Sequence, residues 1–151
     1  MDVKSYGSLT GIRLEGDEPW VLQDAAHVAV HIMSRQVRAV EAEESTDNDK
    51  RDLNEEMLAI GAVTRRIVGR LPPEALEGSE ENTCIRIRAD GCVALRPPEL
   101  RTVQGFLQLF ADNVAETVEY YGLRLPAWKY AAYGSTARTM AAQLSVGLDS
   151  A

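Results

Sequence analysis

Apolar residues recur at intervals of three and four positions in three long stretches of this chain, which is the spacing of one buried helix face. The stretches predict helices over about 21–44, 52–71 and 98–121. The third apolar stripe is the longest and covers an arc of about 140° on the helical wheel. It consists of Leu100, Val103, Phe106, Leu107, Phe110, Val114, Val118 and Tyr121.

Residues that start and stop helices agree with these boundaries. Asp52 and Glu55 have the spacing of a capping box at the start of the second helix. Pro72 and Pro73 end that helix, because proline lacks an amide donor and disfavours a helical conformation in the residue before it. Gly122 suits the left-handed position just past the end of the third helix.

Polar segments connect the predicted helices, and a further helix follows the third. An acidic loop is expected over about 45–51 and a polar connector over about 73–83, because both are rich in residues that compete with helical hydrogen bonding. The last helix covers parts of 127–148. We expect it to be interrupted near Gly134, with Ser135 capping the part that follows.

Two short segments have β character. Residues 3–15 predict one or two short strands, and residues 84–96 predict a β-hairpin that turns at Asp90-Gly91. A two-residue loop would mix apolar and charged side chains on both faces. A three-residue loop places Ile85 opposite Leu95 on one apolar face, so we favour it. The other face then carries Cys84, Arg86, Arg88, Cys92, Ala94 and Arg96.

These elements predict an α+β fold in one domain over residues 1–151. It is mostly helical, with three to four amphipathic helices and a small antiparallel β-hairpin or sheet. The composition, 45% apolar and 26% charged, is that of a globular protein. No apolar run approaches the roughly 18 residues of a membrane span, and the first residues do not resemble a signal peptide. We therefore expect a cytoplasmic protein with free cysteines and no membrane partner.

Negative charge is concentrated in one segment. The net charge is −7, and residues 41–56 contain eight acidic residues against Lys50 and Arg51. One interpretation is a solvated loop that aids solubility. The other is a docking surface, and an acidic segment of this kind also resembles a phosphate backbone that could occupy a basic groove. Direct nucleic-acid binding is not expected without a continuous basic surface. The candidate docking residues are Glu43, Glu44, Asp47 and Asp49.

A metal site is conceivable on the first helix. His27 and His31 are one turn apart, so their imidazoles can share a metal ion, and Asp24 lies on the same side of the helix. These three residues centre nearly opposite the apolar stripe of the helix, which favours a solvated position over a shaped metal cavity. The metal-site hypothesis is kept as an alternative.

The polar face of the predicted hairpin is a second candidate site. Arg86, Arg88 and Arg96 would receive a carboxylate, a phosphate or an acidic partner, unless they pair with the acidic connector or lie in water. In the favoured register Cys84 and Cys92 are about 13 Å apart, too far for a disulfide. The nearby arginines would favour the thiolate form of Cys92.

A third candidate site involves the long helix and the segment after it. Leu109 and Tyr120 lie off the apolar stripe, nearly on the opposite side of the helix. A helix with apolar residues on two sides packs against a second body. Trp128, Tyr130 and Tyr133 are either its cover within the chain or anchors of an interface, with a homodimer slightly favoured.

The sequence contains no phosphate-binding glycine loop, nucleophile elbow or Cys-x-x-Cys pair. It therefore predicts a non-catalytic protein-interaction module, such as an inhibitor, adaptor or assembly component, that binds a protein partner or itself. No cofactor is expected. The alternatives are a small metal-dependent enzyme that uses His27 and His31, and a nucleic-acid-mimicking inhibitor that uses residues 41–56.

Overall fold

A computed structural model describes residues 1–42, 47–69, 79–120 and 126–149. This part of the chain forms five helices and a three-stranded antiparallel sheet, so the predicted α+β class is confirmed. In chain order the elements are β1 (Asp2–Tyr6), β2 (Leu9–Arg13), α1 (Glu18–Ala42), α2 (Asp47–Gly69), α3 (Ser79–Ala89), β3 (Val93–Leu95), α4 (Pro97–Tyr120) and α5 (Ala127–Asp149).

The four long helices pack around a central pair. Helices α1 and α4 contact each other, and each of them also contacts α2 and α5. Helices α4 and α5 run antiparallel, as the hydrogen bonds between them show. The Gln104 side-chain amide donates to the Ala141 carbonyl at 3.2 Å and to the Ser145 hydroxyl, while Arg138 donates to the Ala111 carbonyl. Helices α2 and α5 therefore flank the α1–α4 pair.

The core of this assembly is formed by the apolar stripe predicted for the long helix. Full burial of one large apolar side chain contributes about 1.5–3 kcal/mol, so this stripe is a principal source of stability. The side chains of Val118 and Tyr121 lie outside the described residues. The fully buried members of the stripe are Leu100, Val103, Phe106, Leu107 and Phe110, and they pack with Met140 and Leu144 of α5.

Helix α5 is continuous through Gly134, so the predicted interruption and the N-cap at Ser135 are wrong. Gly134 is buried where α5 crosses α4. A β-carbon at this position would lie 3.2 Å from Cγ1 of Val114. The glycine therefore allows two helices to approach closely, and the continuing helix retains its hydrogen bonds through it.

The predicted hairpin over 84–96 is also wrong. Residues up to Ala89 are helical, and Val93–Leu95 pairs with β2, where Leu95 is opposite Thr10. Gly91 has a φ of 77° and its amide donates to the Arg88 carbonyl, while the amide of the next residue donates to Ile87 at 3.1 Å. This pair of bonds is the Schellman motif of a helix C-terminus. The Asp-Gly signal therefore ends a helix here.

Burial confirms the helical interpretation of this segment. Ile87 is fully buried, whereas Ile85 is 59% exposed, so the predicted joint burial of Ile85 and Leu95 does not occur. Ile87 and Cys84, one turn apart, form a small second core with Leu9 of β2. A helix that presents this face to the sheet explains the apolar residues without a strand.

Helix α3 is also tied to the sheet by a polar contact. The Tyr6 hydroxyl donates to an Asp90 carboxylate oxygen at 2.5 Å, and Lys4 lies 3.8 Å from the same oxygen. This hydrogen bond raises the pKa of Tyr6 to about 12 and lowers the pKa of Asp90. The end of α3 is thereby joined to β1.

Two segments expected to be irregular are partly helical. Helix α2 begins at Asp47, so residues 47–51 of the predicted acidic loop belong to its first turns. Acidic residues at a helix N-terminus interact favourably with the helix dipole, which explains this start. Residues 79–83 of the predicted connector belong to α3. The remaining parts of both segments lie outside the described residues.

Candidate functional site

Helix α1 carries a row of aromatic and polar residues beside its buried face. Trp20, Asp24, His27 and His31 are spaced by four, three and four positions, so they follow one flank of the helix. Trp20 is 62% exposed, both histidines are exposed, and Asp24 is half-buried. The sequence signal for this row is the position of Trp20 outside the apolar stripe of the helix. Sequence reasoning missed Trp20 as a candidate residue.

The first turn of α5 lies beside this row. The charges of Lys129 and Asp24 act on each other, and Tyr133 is affected by the charges of Asp17 and Asp24. These interactions bring the N-terminal parts of α1 and α5 together. Trp128, on the outward side of the first turn of α5, is 72% exposed.

We call Trp20, Asp24, His27, Trp128 and Lys129 the tryptophan surface. Its one half-buried carboxylate is Asp24, whose pKa is raised by burial, while the neighbouring positive charges of His27 and Lys129 oppose that rise. The surface therefore combines two large, exposed indole rings with a carboxylate and a few adaptable polar groups. Such a combination suits contact with another macromolecule more than chemistry on a small substrate.

The predicted metal site is not assembled. The rings of His27 and His31 have centroids 4.5 Å apart and planes inclined at 78°, so they stack edge to face. No group of three His, Cys, Asp or Glu side chains able to hold a metal ion occurs among the residues with described positions. Asp24 lies between the charges of His27 and of Lys129 on α5, both of which lower its pKa.

The predicted arginine face does not exist as one surface. Arg86 and Arg88 are exposed in the last turns of α3, where their charges are favourable near the negative end of the helix dipole. Arg96 follows β3 and lines a different region, between α2 and α4. The prediction placed the three arginines on one face because alternate residues of a strand share a face. In a helix alternate residues do not share a face, so the grouping is lost.

The region around Arg96 is a cavity of about 350 Å³ with an ion pair at one side. Arg66 of α2 forms a salt bridge with Glu99 of α4 and donates to the Ala94 carbonyl at 2.7 Å. The other Glu99 oxygen accepts the Arg96 amide at 3.0 Å, which is one half of a capping box. These contacts join α2, β3 and α4. Sequence reasoning missed Arg66, although the Arg96–Glu99 spacing is a capping signal.

The acidic candidates divide between described and undescribed positions. Glu43 and Glu44 lie outside the described residues, and Asp47 is within α2 but its side chain is not described. Asp49 is exposed on the first turn of α2. The acidic docking surface therefore stays a prediction.

The residues of the third predicted site, on the long helix and the segment after it, are not brought together on one surface. Leu109 is half-buried and packs against the main core, so it is not on the solvent side of α4. The side chain of Tyr120 is not described. Tyr130 and Tyr133 are buried in the main core and thus belong to the internal cover, whereas Trp128 remains exposed.

The cysteines give no sign of an activated thiol. Cys84 is buried and Cys92 is half-buried, and both are free. Burial raises the pKa of Cys92, and the charge of Arg13 opposes this only in part. The expected stabilisation of a Cys92 thiolate by neighbouring arginines is therefore wrong, because Arg86 and Arg88 lie on a helix rather than on the same strand face.

No protein-family model, no curated protein and no solved structure matches this chain. In the part of the chain that the structure describes, every helix is too short or too polar to cross a membrane.

Proposed function

We propose that this protein is a non-catalytic interaction module that binds a protein partner through the tryptophan surface. The observation that carries the proposal is the exposure of Trp20 and Trp128, which lie in the first turns of α1 and α5, two helices that pack against each other. Among the described residues, the phenylalanine and tyrosine side chains of the helices are buried, namely Phe106, Phe110, Tyr130 and Tyr133. Exposure of the two largest side chains is thus selective.

Tryptophan is the residue type most enriched among the side chains that dominate interface energy. Its large rigid ring buries much apolar area while few torsions lose freedom. Both rings project from the first turns of long helices that are anchored in the core. Such placement reduces the entropy lost on binding, because the backbone of the site is already ordered.

The charges beside the rings indicate the chemistry of the partner. Asp17 is exposed and Asp24 is half-buried, and both lie one turn from Trp20. An arginine or lysine of the partner would stack on an indole ring and pair with these carboxylates. The partner we propose is therefore a protein segment with apolar residues flanked by basic ones. A cytoplasmic location fits the two free thiols.

Selection from a random peptide library displayed on phage tests this proposal. We expect the protein to enrich peptides that combine aliphatic or aromatic residues with arginine or lysine. The double variant Trp20→Ala/Trp128→Ala should lose roughly 1,000-fold in affinity for them, since truncation of one hot-spot tryptophan costs about 2 kcal/mol or more. Ile85→Ala, an exposed apolar residue on α3, is the matched control and should bind as the wild type does.

Two results would overturn the proposal. One is selection without any enriched peptide. The other is enrichment of peptides that bind the double variant and the wild type equally, since their site would then lie elsewhere on the molecule.

A further inference from the structure

The outward face of α2 carries charges in an order that would be complementary to a second copy of the helix running in the opposite direction. Glu55, Leu58, Ala62 and Arg65 are all exposed and follow one another at intervals of three, four and three positions. Leu58 is 72% exposed, which makes it one of the two most exposed large apolar side chains of the described residues. Among those residues, neither Glu55 nor Arg65 forms a salt bridge. Between residues 55 and 65 the face thus has an acid, an apolar centre and a base in that order, and the exposed Arg51 lies one turn before Glu55.

This order matches the pairing of two antiparallel helices. Leu58 and Arg65 are seven residues apart and share one heptad position, while Glu55 and Ala62 share another. Two copies of α2 can pack antiparallel about a two-fold axis near residue 60. The heptad position of Leu58 and Arg65 in one copy then faces the heptad position of Glu55 and Ala62 in the other. Glu55 then lies opposite Arg65 of the second copy, and Leu58 lies opposite Ala62. Each contact occurs twice, as in an isologous interface.

The surface beside Ala62 has room for the leucine of a second copy. The cavity between α2 and α4 has a volume of about 350 Å³, and its apolar lining includes Ala59, Ala62, Val63 and Pro98. Small side chains on α2 leave this space open, while the Arg66–Glu99 ion pair closes one side. Leu58 of the second copy would enter next to Ala62 and bury its exposed surface there.

We infer that the outward face of α2 is a two-fold symmetric homodimer interface, in which Leu58 of each copy enters the α2–α4 cavity of the other. Charge complementarity at both ends selects the antiparallel register, because a parallel pair would place like charges together. A single helix pair buries less area than an obligate interface, so the dimer is expected to be reversible. The tryptophan surface takes no part in it.

Sedimentation velocity over a concentration series of about 1–100 µM, which spans weak to moderate affinity, measures this dimer. The wild type should shift from monomer to dimer within that range. Leu58→Asp should remain a monomer, because it places a charge in an apolar contact. Val146→Asp changes another exposed apolar residue, on α5, and should dimerise as the wild type does. Circular dichroism confirms that both variants are folded.

Charge reversal tests the register itself. Glu55→Arg or Arg65→Glu alone should weaken the dimer at least about tenfold, since each variant places two like-charged pairs across the axis. A mixture of these two variants should form a heterodimer, because both pairs are then again of opposite charge. A wild-type protein that stays monomeric at 100 µM would overturn the inference, as would charge variants that do not associate when mixed but dimerise alone. Neither result depends on peptide binding at the tryptophan surface.

Discussion

Two residues apart on α5, Trp128 and Tyr130 occupy opposite environments. Tyr130 is buried in the main core with Phe106 and Phe110 of α4, whereas Trp128 projects into solvent, as Trp20 of α1 does. The interior between the helices thus holds aromatic side chains that stabilise the fold. The outer surface holds aromatic side chains that add almost nothing to it. Under the proposed function, folding and partner binding therefore depend on separate residues, so each can be altered alone.

The largest expected effect comes from the interior. Phe106→Ala should lower the free energy of unfolding by about 3–5 kcal/mol, because it removes a fully buried ring and leaves a cavity. Trp20→Ala and Trp128→Ala should change it by no more than about 0.5 kcal/mol, since both rings are largely in water. Urea unfolding of the three variants measures this contrast. Comparable losses in all three would show that the tryptophans belong to the core.

A smaller contrast is expected within α3, where two isoleucines differ in the same way. Ile87→Ala should lower the free energy of unfolding by about 2–4 kcal/mol, because Ile87 is fully buried in the second core with Leu9 and Cys84. Ile85→Ala, at an exposed position, should stay within about 0.5 kcal/mol of the wild type. Chemical denaturation checks both values. The reverse order would restore the hairpin interpretation, in which Ile85 is the buried residue.

The smallest effect concerns Asp24, the half-buried acid of the tryptophan surface. Burial raises its pKa in the folded protein above the unfolded value, so the folded state holds this proton more tightly. The ionised carboxylate therefore costs stability, and this cost appears as pH rises from the unfolded pKa of about 3.9 through the raised folded pKa. Asp24→Asn should then raise Tm at neutral pH and leave it unchanged at about pH 3, well below both pKa values.

Thermal unfolding of wild type and Asp24→Asn at the two pH values tests this prediction. A lower Tm of the variant at neutral pH would contradict it. The attraction of Asp24 to His27 and Lys129 would then outweigh the cost of burying the charge.

The helical part of the fold could be predicted because its signals are long and agree with one another. The stripe from Leu100 to Phe110 keeps the helical period over three turns, and Pro97 and Glu99 mark the start of α4. Over so many residues no other secondary structure buries the same side chains. Short segments lack this redundancy, and there the prediction was wrong.

The segment of α3 illustrates the ambiguity. Ile85 and Ile87 alternate with polar residues as in a strand, and the Asp90–Gly91 pair is common to hairpin turns and helix ends. Only tertiary contacts decide between these alternatives, because Cys84 and Ile87, one helical turn apart, pack together on Leu9 of β2. Tertiary contacts of this kind are not visible in local sequence.

The candidate site was limited by the same lack of tertiary information. The residue type indicates Trp128 as a possible anchor, but nothing in the sequence links it with Trp20, which is 108 positions away. The link between the two helices follows from the packing of α5 against α1, where the charges of Asp24 and Lys129 interact. Likewise, Gly134 suggested a helix break because the close approach of Val114 cannot be read from sequence.

The central claim, that the tryptophan surface binds a protein segment, is tested most directly by intrinsic fluorescence. The chain contains two tryptophans, and both belong to this surface, so tryptophan emission reports on it alone. Titration with a selected basic–apolar peptide that lacks tryptophan should shift the emission to shorter wavelength and protect it from acrylamide quenching, because both rings leave water. Saturable binding of that peptide with unchanged emission and unchanged quenching would contradict the claim.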